Sequence, residues 1–344
     1  MRFAWWILLL PCHATAVQAQ VVTDGSVGPR VALSGGSITV GAELGALGGD
    51  NLFHSFERFG IGRGESVTFT GPGTLRHVIG RVTGGGASRI EGTLRSTVGQ
   101  ADLVLVNPAG IVFGPEARLD VPGSFHASTA HELRFADGTR FSAVDPVASG
   151  LTAAPPEAFG FLGPSGPVAV DGSRLEAGPG RTLSLVGGDV VVAGSPVHRI
   201  GAAAGAVNLV STSGPARVGL ADGAVSEPAA AMEGGTVRLL GGFVDVGGDG
   251  GGAVRIRGGT LVVEDSAVFA DNTGSRDAAA GIDIVAGSVV VDRGLLAAQA
   301  FGPGRGAAIR VEARDLDLRS GGTLSTGTSG PGASGPVDVR ALRL

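Results

Sequence analysis

Five aspartates, Asp245, Asp265, Asp271, Asp277 and Asp283, crowd one glycine-rich stretch of this chain. Carboxylates converging on a groove beside an arginine, often around bound calcium, would equip a polysaccharide lyase or hydrolase. Aligning the repeated strands of that stretch matches Asp265 with Asp292 and then Arg319, and leaves Asp271 and Asp277 in a turn. A single groove does not emerge. The histidines His54, His77, His126, His131 and His198 show no metal-ligand spacing with a cysteine or close carboxylates, so no metal is assigned. Gly302-Pro303-Gly304-Arg305-Gly306 has the outline of a dinucleotide loop, yet no helix follows it and it reads as a corner turn. No Gly-x-Ser-x-Gly elbow or Walker loop occurs, and the one cysteine, Cys12, falls in the apolar N-terminus. The expectation is a protein that is not an enzyme, with no catalytic residue and no cofactor.

Glycine supplies 62 of the 344 residues, far above the roughly 7% of ordinary proteins, while apolar residues stay at 43%. Disorder pairs high glycine with few apolar residues, and helices do not survive glycine at this density. Short apolar strands joined by tight turns satisfy both numbers. The formal charge is -5, all 26 basic residues are arginine and tyrosine is absent. Mild acidity offers no basic patch, so no nucleic-acid partner is expected. At the N-terminus Arg2 precedes an apolar run at 3–10, Pro11 breaks it, and Val17-Gln18-Ala19 offers the spacing signal peptidase reads. That run is far shorter than the about 20 residues a membrane span needs. Residues 1–19 therefore read as a signal peptide for the Sec machinery, cleaved after Ala19, leaving a mature chain without a thiol.

From Val21 onward short β-type runs appear at 66–70, 103–106, 182–186 and 189–192, with Leu183 and Leu185 on one face. The C-terminal third repeats itself. Ala253-Val254-Arg255-Ile256, Gly281-Ile282-Asp283-Ile284, Ala308-Ile309-Arg310-Val311 and Pro336-Val337-Asp338-Val339 start 27 or 28 residues apart, a solenoid period. A second strand follows each full unit: Thr260-Leu261-Val262-Val263, Ser288-Val289-Val290-Val291 and Asp315-Leu316-Asp317-Leu318. A third apolar point comes at Ala267-Val268-Phe269, Leu295-Leu296-Ala297 and Gly322-Thr323-Leu324. Three strands and a glycine-rich turn per unit describe one coil of a parallel β-helix, a single-stranded solenoid with alternate side chains stacked inward. At about 25 residues per coil and about 4.8 Å per step, the mature chain forms a rod about 60 Å long. A hairpin-built β-sandwich fits less well, because its Asn-Gly and Asp-Gly turns are scarce. The last fragment, 335–344, stops after one strand: either that strand caps the rod or the frame is a truncated form of a longer protein.

Asn51-Leu52-Phe53-His54-Ser55-Phe56, with Phe59, resembles the "NLFHSFxxF" stretch of the filamentous-haemagglutinin N-terminal (TPS) domain of two-partner-secretion exoproteins. Arg81-Val82-Thr83-Gly84-Gly85, with Ser88, Ile90, Glu91 and Gly92, is similar to its "RVTGGxxSxIdG" segment. Asn107-Pro108-Ala109-Gly110-Ile111-Val112-Phe113-Gly114 resembles its "NPNGIVFG" motif, with Ala109 where the family usually has asparagine. Gly123-Ser124-Phe125, Ser128-Thr129-Ala130, Ala158-Phe159-Gly160-Phe161-Leu162 and Leu183-Ser184-Leu185-Val186 follow in the family's order. The resemblance implies an all-β, right-handed parallel β-helix with small extra-helical hairpins near the N-terminal end. It also implies recognition by the periplasmic domains of a dedicated outer-membrane barrel transporter, which exports the chain unfolded. Carried over, the partner-binding secretion motif comprises Asn107, Pro108, Gly110 and Ile111 with Asn51, Phe53, His54 and Phe56. Read from the residues alone, Asn107-Pro108-Ala109-Gly110 is a β-turn between strands at 103–106 and 111–113. Its asparagine either satisfies backbone groups of adjacent coils or meets the partner. His54, between Phe53 and Phe56, reads as a packed or capping histidine rather than a ligand.

These readings give a signal peptide at 1–19, a secretion domain at 20–162, and continuing coils at 163–344 with the repeat in 253–344. The expected function is a secreted or cell-surface, haemagglutinin- or adhesin-like exoprotein of a Gram-negative-type bacterium. It would pass through Sec, periplasm and outer membrane and meet a host or bacterial surface ligand. The alternatives are a β-helix polysaccharide lyase or hydrolase, or the N-terminal part of a contact-dependent inhibition toxin. No toxin domain fits through Leu344.

Overall fold

A computed structural model describes residues 20–195, 197, 199–225 and 232–344. The expected signal peptide with Cys12, the cleavage after Ala19, and His198 lie outside them. Within the described residues the chain is almost entirely strand, apart from one 3-10 turn at Ala42–Leu44. Parallel strands stack into a right-handed β-helix of about 11 turns. The first sheet runs from Asn51–Phe59 through His77–Val82, Asp102–Val106, Phe125–Ser128, Thr182–Gly187 and Ala206–Ser211. It continues through the leading halves of Ala253–Glu264, Ile282–Asp292 and Ile309–Arg319 to Val337–Arg343. The second sheet stacks Ser88–Ile90, Ile111–Phe113, Val168–Asp171, Val190–Ala193 and Thr236–Leu240, then the trailing halves of the same long strands. The third comes in two runs, Ser37–Val40 to Arg118–Asp120 and Leu175–Ala177 to Thr323–Ser325.

Alternation decides which side chains enter. In the first sheet Leu52, Val78, Leu103, Phe125, Leu183 and Val207 stack in register, and all are buried in one core that runs the length of the rod. Each such side chain contributes about 1.5–3 kcal/mol by leaving water. The C-terminal repeat has the expected register, with Val254 on Ile282, Ile309 and Val337. Two details differ. Leu295 lies against Thr323 and Leu296 against Leu324, one residue from the expected match, because this register keeps Val268, Leu296 and Leu324 in one inward column. Asp292 and Arg319 lie opposite Glu264 rather than Asp265. Asp265 instead occupies the corner after the strand, at φ 48°, as do Arg293 at 49° and Ser320 at 49°. The turn into the third sheet demands a left-handed residue there. Gly241 supplies it in an earlier coil at φ 74°, and the other three accept about 1–2 kcal/mol of strain each.

The extra-helical hairpins prove larger than expected. Glu132–Phe135, Arg140–Ser142, Pro156–Phe161 and Ala216–Gly219 form a four-stranded antiparallel sheet. It lies on the outward side of the first sheet and closes a second hydrophobic core with Phe53, Ile79, Val104, Val106, Val186 and Val210. Phe53 packs against Phe135 at 5.7 Å and Phe141 at 5.1 Å. Residues spent here add no rise, so about 11 turns make a rod nearer about 50 Å than the expected 60 Å. At the N-terminal end Val21–Thr23 and Ala46–Gly48 pair antiparallel with Asn51–Phe59, and Ala32–Leu33 with Val21–Thr23. That arrangement covers the edge of the first coil, which would otherwise offer unpaired backbone groups.

Candidate functional site

The strand Asp102–Val106 leaves the first sheet and Ile111–Phe113 enters the second. Between them the Gly110 N–H donates to the Asn107 carbonyl at 3.1 Å, closing the turn. Gly110 sits at φ +126°, and a Cβ there would lie 3.3 Å from the Pro167 carbonyl of the next coil. The Asn107 side chain is 0% exposed. Its Nδ2 donates to the Gly86 carbonyl at 2.9 Å and to Ser88 Oγ at 3.0 Å, both on the preceding coil. Its Oδ1 accepts the Ala109 N–H at 3.0 Å. Ala109 thus supplies only a backbone donor, a role open to any residue but proline. Ile111 is buried in the main core and Pro108 is half-buried.

The second group of candidate residues divides across one strand. Asn51 and Phe53 face outward, under the antiparallel sheet, whereas His54 and Phe56 face into the rod. Asn51 Nδ2 donates to the carbonyls of Thr152 at 2.9 Å and Ala154 at 2.8 Å, and its Oδ1 lies 2.8 Å from His77 Nδ1. Asn51 therefore ties the extra-helical loop to the first coil. His54 lies among Phe56 at 6.0 Å and Phe69 at 5.4 Å. Gly80 stands opposite it, where a Cβ would come within 3.2 Å of the Phe56 ring. Neither ring nitrogen makes a hydrogen bond of good geometry. Burial pushes the imidazole down to about 4, and the Leu44 carbonyl opposes this only in part. His54 is a neutral core side chain.

Other buried polar residues escaped sequence reasoning. His126 lies 3.0 Å from Ser184 Oγ, and burial holds it below its usual range. Asn272, 0% exposed, donates to the carbonyls of Arg276 at 2.6 Å and Arg305 at 2.9 Å, and accepts from Gly250 at 2.9 Å and Gly274 at 3.1 Å. Arg81 was visible only as a letter of a family motif, yet it is buried. No periodicity marks such residues, because each answers polar groups of a neighbouring coil or loop that sequence does not reveal.

The five aspartates scatter. Asp245 faces Glu176 across Arg199 on the third sheet, beside a notch of about 210 Å³. Asp265 pairs with Arg293 at its corner, at 2.7 Å. Asp271 accepts the Gln299 N–H at 2.7 Å and is pushed up mainly by burial. Asp277 accepts the Arg305 N–H at 2.8 Å, and Asp283 pairs with Arg257 on the first sheet. Among the described residues no three His, Cys, Asp or Glu side chains gather as a metal site, and no helix is long and apolar enough to cross a membrane.

A family model described as the TPS secretion domain matches residues 18–275. No curated protein matches the chain. Among solved structures, the HMW1 secretion domain from Haemophilus influenzae is similar, with TM-score 0.52 and 16% identity, over 90% of this chain and 82% of that one. A filamentous hemagglutinin secretion domain aligns at TM-score 0.45 and 18% identity, over 92% of this chain and 99% of that one.

Proposed function

Because the chain belongs to the TPS secretion-domain family, the exported N-terminal domains of two-partner-secretion exoproteins, we propose that a dedicated outer-membrane barrel transporter recognises it before it folds. One observation carries this reading. Of the eight candidate motif residues, Asn51, Phe53, His54, Phe56, Asn107 and Ile111 are each 0% exposed, Gly110 is buried and Pro108 half-buried. A transporter that reads these side chains must read them in the unfolded chain. The same residues then set the turns and cores that form outside, where each added coil buries apolar surface and opposes return. We assign entry to this route to the signal peptide, cleaved after Ala19, and Sec. The surface role is that of an adhesin-like exoprotein without catalysis, meeting a ligand on a host or bacterial cell.

The test transfers residues 20–162, and separately 20–275, behind a signal peptide onto a cysteine-free passenger in cells with the matched transporter. Secretion of the passenger is expected. Failure of both transfers, with the intact chain still exported, overturns the reading. Asn107→Ala separates the two roles of the motif. Weaker binding of the urea-unfolded chain to the transporter's periplasmic domains assigns Asn107 to recognition, and unchanged binding with lower folded stability assigns it to folding alone.

A further inference from the structure

Arg81 lies at the head of the buried side chains by volume, with 1% of its surface exposed, and among the described residues no carboxylate is within ion-pair range of it. Its Nε donates to Ser55 Oγ at 2.7 Å, and its Nη2 to Ser26 Oγ at 2.9 Å. Its Nη1 donates to the Ser142 carbonyl at 2.6 Å and to Ser149 Oγ. The Phe141 ring lies 4.0 Å from the guanidinium carbon. Ser26 and Ser55 in turn donate hydrogen bonds to the Asp24 carboxylate, each at 2.7 Å, and Thr83 donates to it at 2.8 Å. Cation and anion therefore meet only through two serine hydroxyls.

The partners come from three places. Ser55 belongs to the coil beneath, Ser26 to a segment 55 residues upstream and Ser149 to a loop 68 residues downstream. No backbone hydrogen bond links the upstream segment at 24–26 to the loop at 142–149. We infer that Arg81 is a latch that makes these two segments one cooperative unit, neither remaining closed unless the other is in place. The physical cause is the cost of a buried charge. With both segments closed, four N–H groups of the guanidinium end on oxygen; with either withdrawn, the cation keeps its desolvation and loses its compensation. Closing halfway is thus the worst state. A neutral side chain at this position would let the segments open independently.

Hydrogen exchange on the folded chain tests this, reading peptides that cover 24–31, 142–150 and, as reference, 254–263. Ser26→Ala removes a partner from the upstream segment alone. It is expected to raise exchange in 142–150 by about tenfold to a hundredfold, the range of one charged hydrogen bond, with 254–263 unchanged. Arg81→Met is expected to raise exchange in both segments and to abolish the further effect of Ser26→Ala on the loop. An effect of Ser26→Ala confined to 24–31 overturns the latch. Should Arg81→Met not fold, Ser149→Ala supplies the reciprocal reading: increased exchange in 24–31 supports the latch, and an effect confined to the loop overturns it.

Discussion

From Asn51–Phe59 to Ala206–Ser211 the outward residues of the first sheet lie beneath the antiparallel sheet or beside it, and from Ala253–Glu264 onward the same columns face water. One column passes from Ser55, Arg81, Val106, Ser128, Val186 and Val210 to Arg257, Val285, Glu312 and Arg340. Its neighbour passes from Phe53, Ile79 and Val104 through His126, Ser184 and Asn208 to Arg255, Asp283, Arg310 and Asp338. The inward columns of the first sheet are apolar in both regions apart from His54 and Ser211. Inward positions thus answer to the coil, which is the same everywhere, and outward positions answer to whatever covers them. The largest effect that would break this contrast comes from one substitution made twice in one column. Val106→Asp buries a carboxylate in the second core and is expected to cost about 4 kcal/mol or more. Val285→Asp, half-exposed beside Arg257, should stay within about 1 kcal/mol. Urea unfolding measures both, and equal costs would show that the antiparallel sheet does not seal a core.

The second effect sharpens the contrast by crossing it. Asn107 lies in the covered region and Asn272 in the bare one, yet both are sealed and both answer backbone groups of adjacent coils. Asn107→Ala and Asn272→Ala should each cost about 2–3 kcal/mol, through stranded donors and acceptors. A much smaller loss at Asn272 would tie such asparagines to the cover rather than to the coil.

The contrast also explains what could be read in advance. In 253–344 the antiparallel sheet does not reach the outer face, so apolar and charged residues alternate cleanly and the period emerges at 27 or 28 residues. The structural register there differs by one residue from the expected matches at Asp265 and Gly322, beside the corners that Asp265 and Ser320 hold in left-handed backbone. Where the cover makes both faces of a strand apolar, as in Leu103-Val104-Leu105-Val106, alternation vanishes; it survives at Leu183-Ser184-Leu185, where the outward residue is polar. The excursion from His131 to Leu162 also interrupts the coil spacing, and its fourth strand, Ala216–Gly219, arrives long after the other three. Beyond isolated strands at 66–70, 103–106 and 182–186, only the family motifs point to that region. They marked Asn51, His54 and Asn107, but not which of them faced inward or outward.

Acidification supplies a third effect, smaller per pH unit and confined to the covered region. His54 is held near 4 in the folded chain against 6.5 when exposed. Between those values the unfolded chain binds a proton that the folded chain refuses, so stability falls as pH drops from about 6.5 to 4. Each such histidine contributes up to about 1.4 kcal/mol per pH unit; His126 shifts in the same direction. This window lies above the lowered range of Asp24 and Glu176, whose contributions are lost only at lower pH. His54→Phe should flatten the decline by one proton in urea midpoints taken across that range. An unchanged slope would place the titration elsewhere.

The smallest effect belongs to the bare region. Arg255, Asp283, Arg310 and Asp338 alternate in sign along their column, and Arg257 pairs with Asp283 across one coil step. Such a ladder looks like a fastening, but Asp283 is 41% exposed, and water competes for its carboxylate. Side-chain entropy and salt oppose the pair further. A double-mutant cycle on Arg257→Met and Asp283→Asn should therefore return a coupling below about 1 kcal/mol, shrinking as salt rises. Val285→Asp, which adds a second acid beside Arg257, should be tolerated for the same reason. A coupling of several kcal/mol that resists salt would mean that the bare face is locked electrostatically. The two regions would then differ in the kind of fastening, rather than in whether the outer surface is fastened at all.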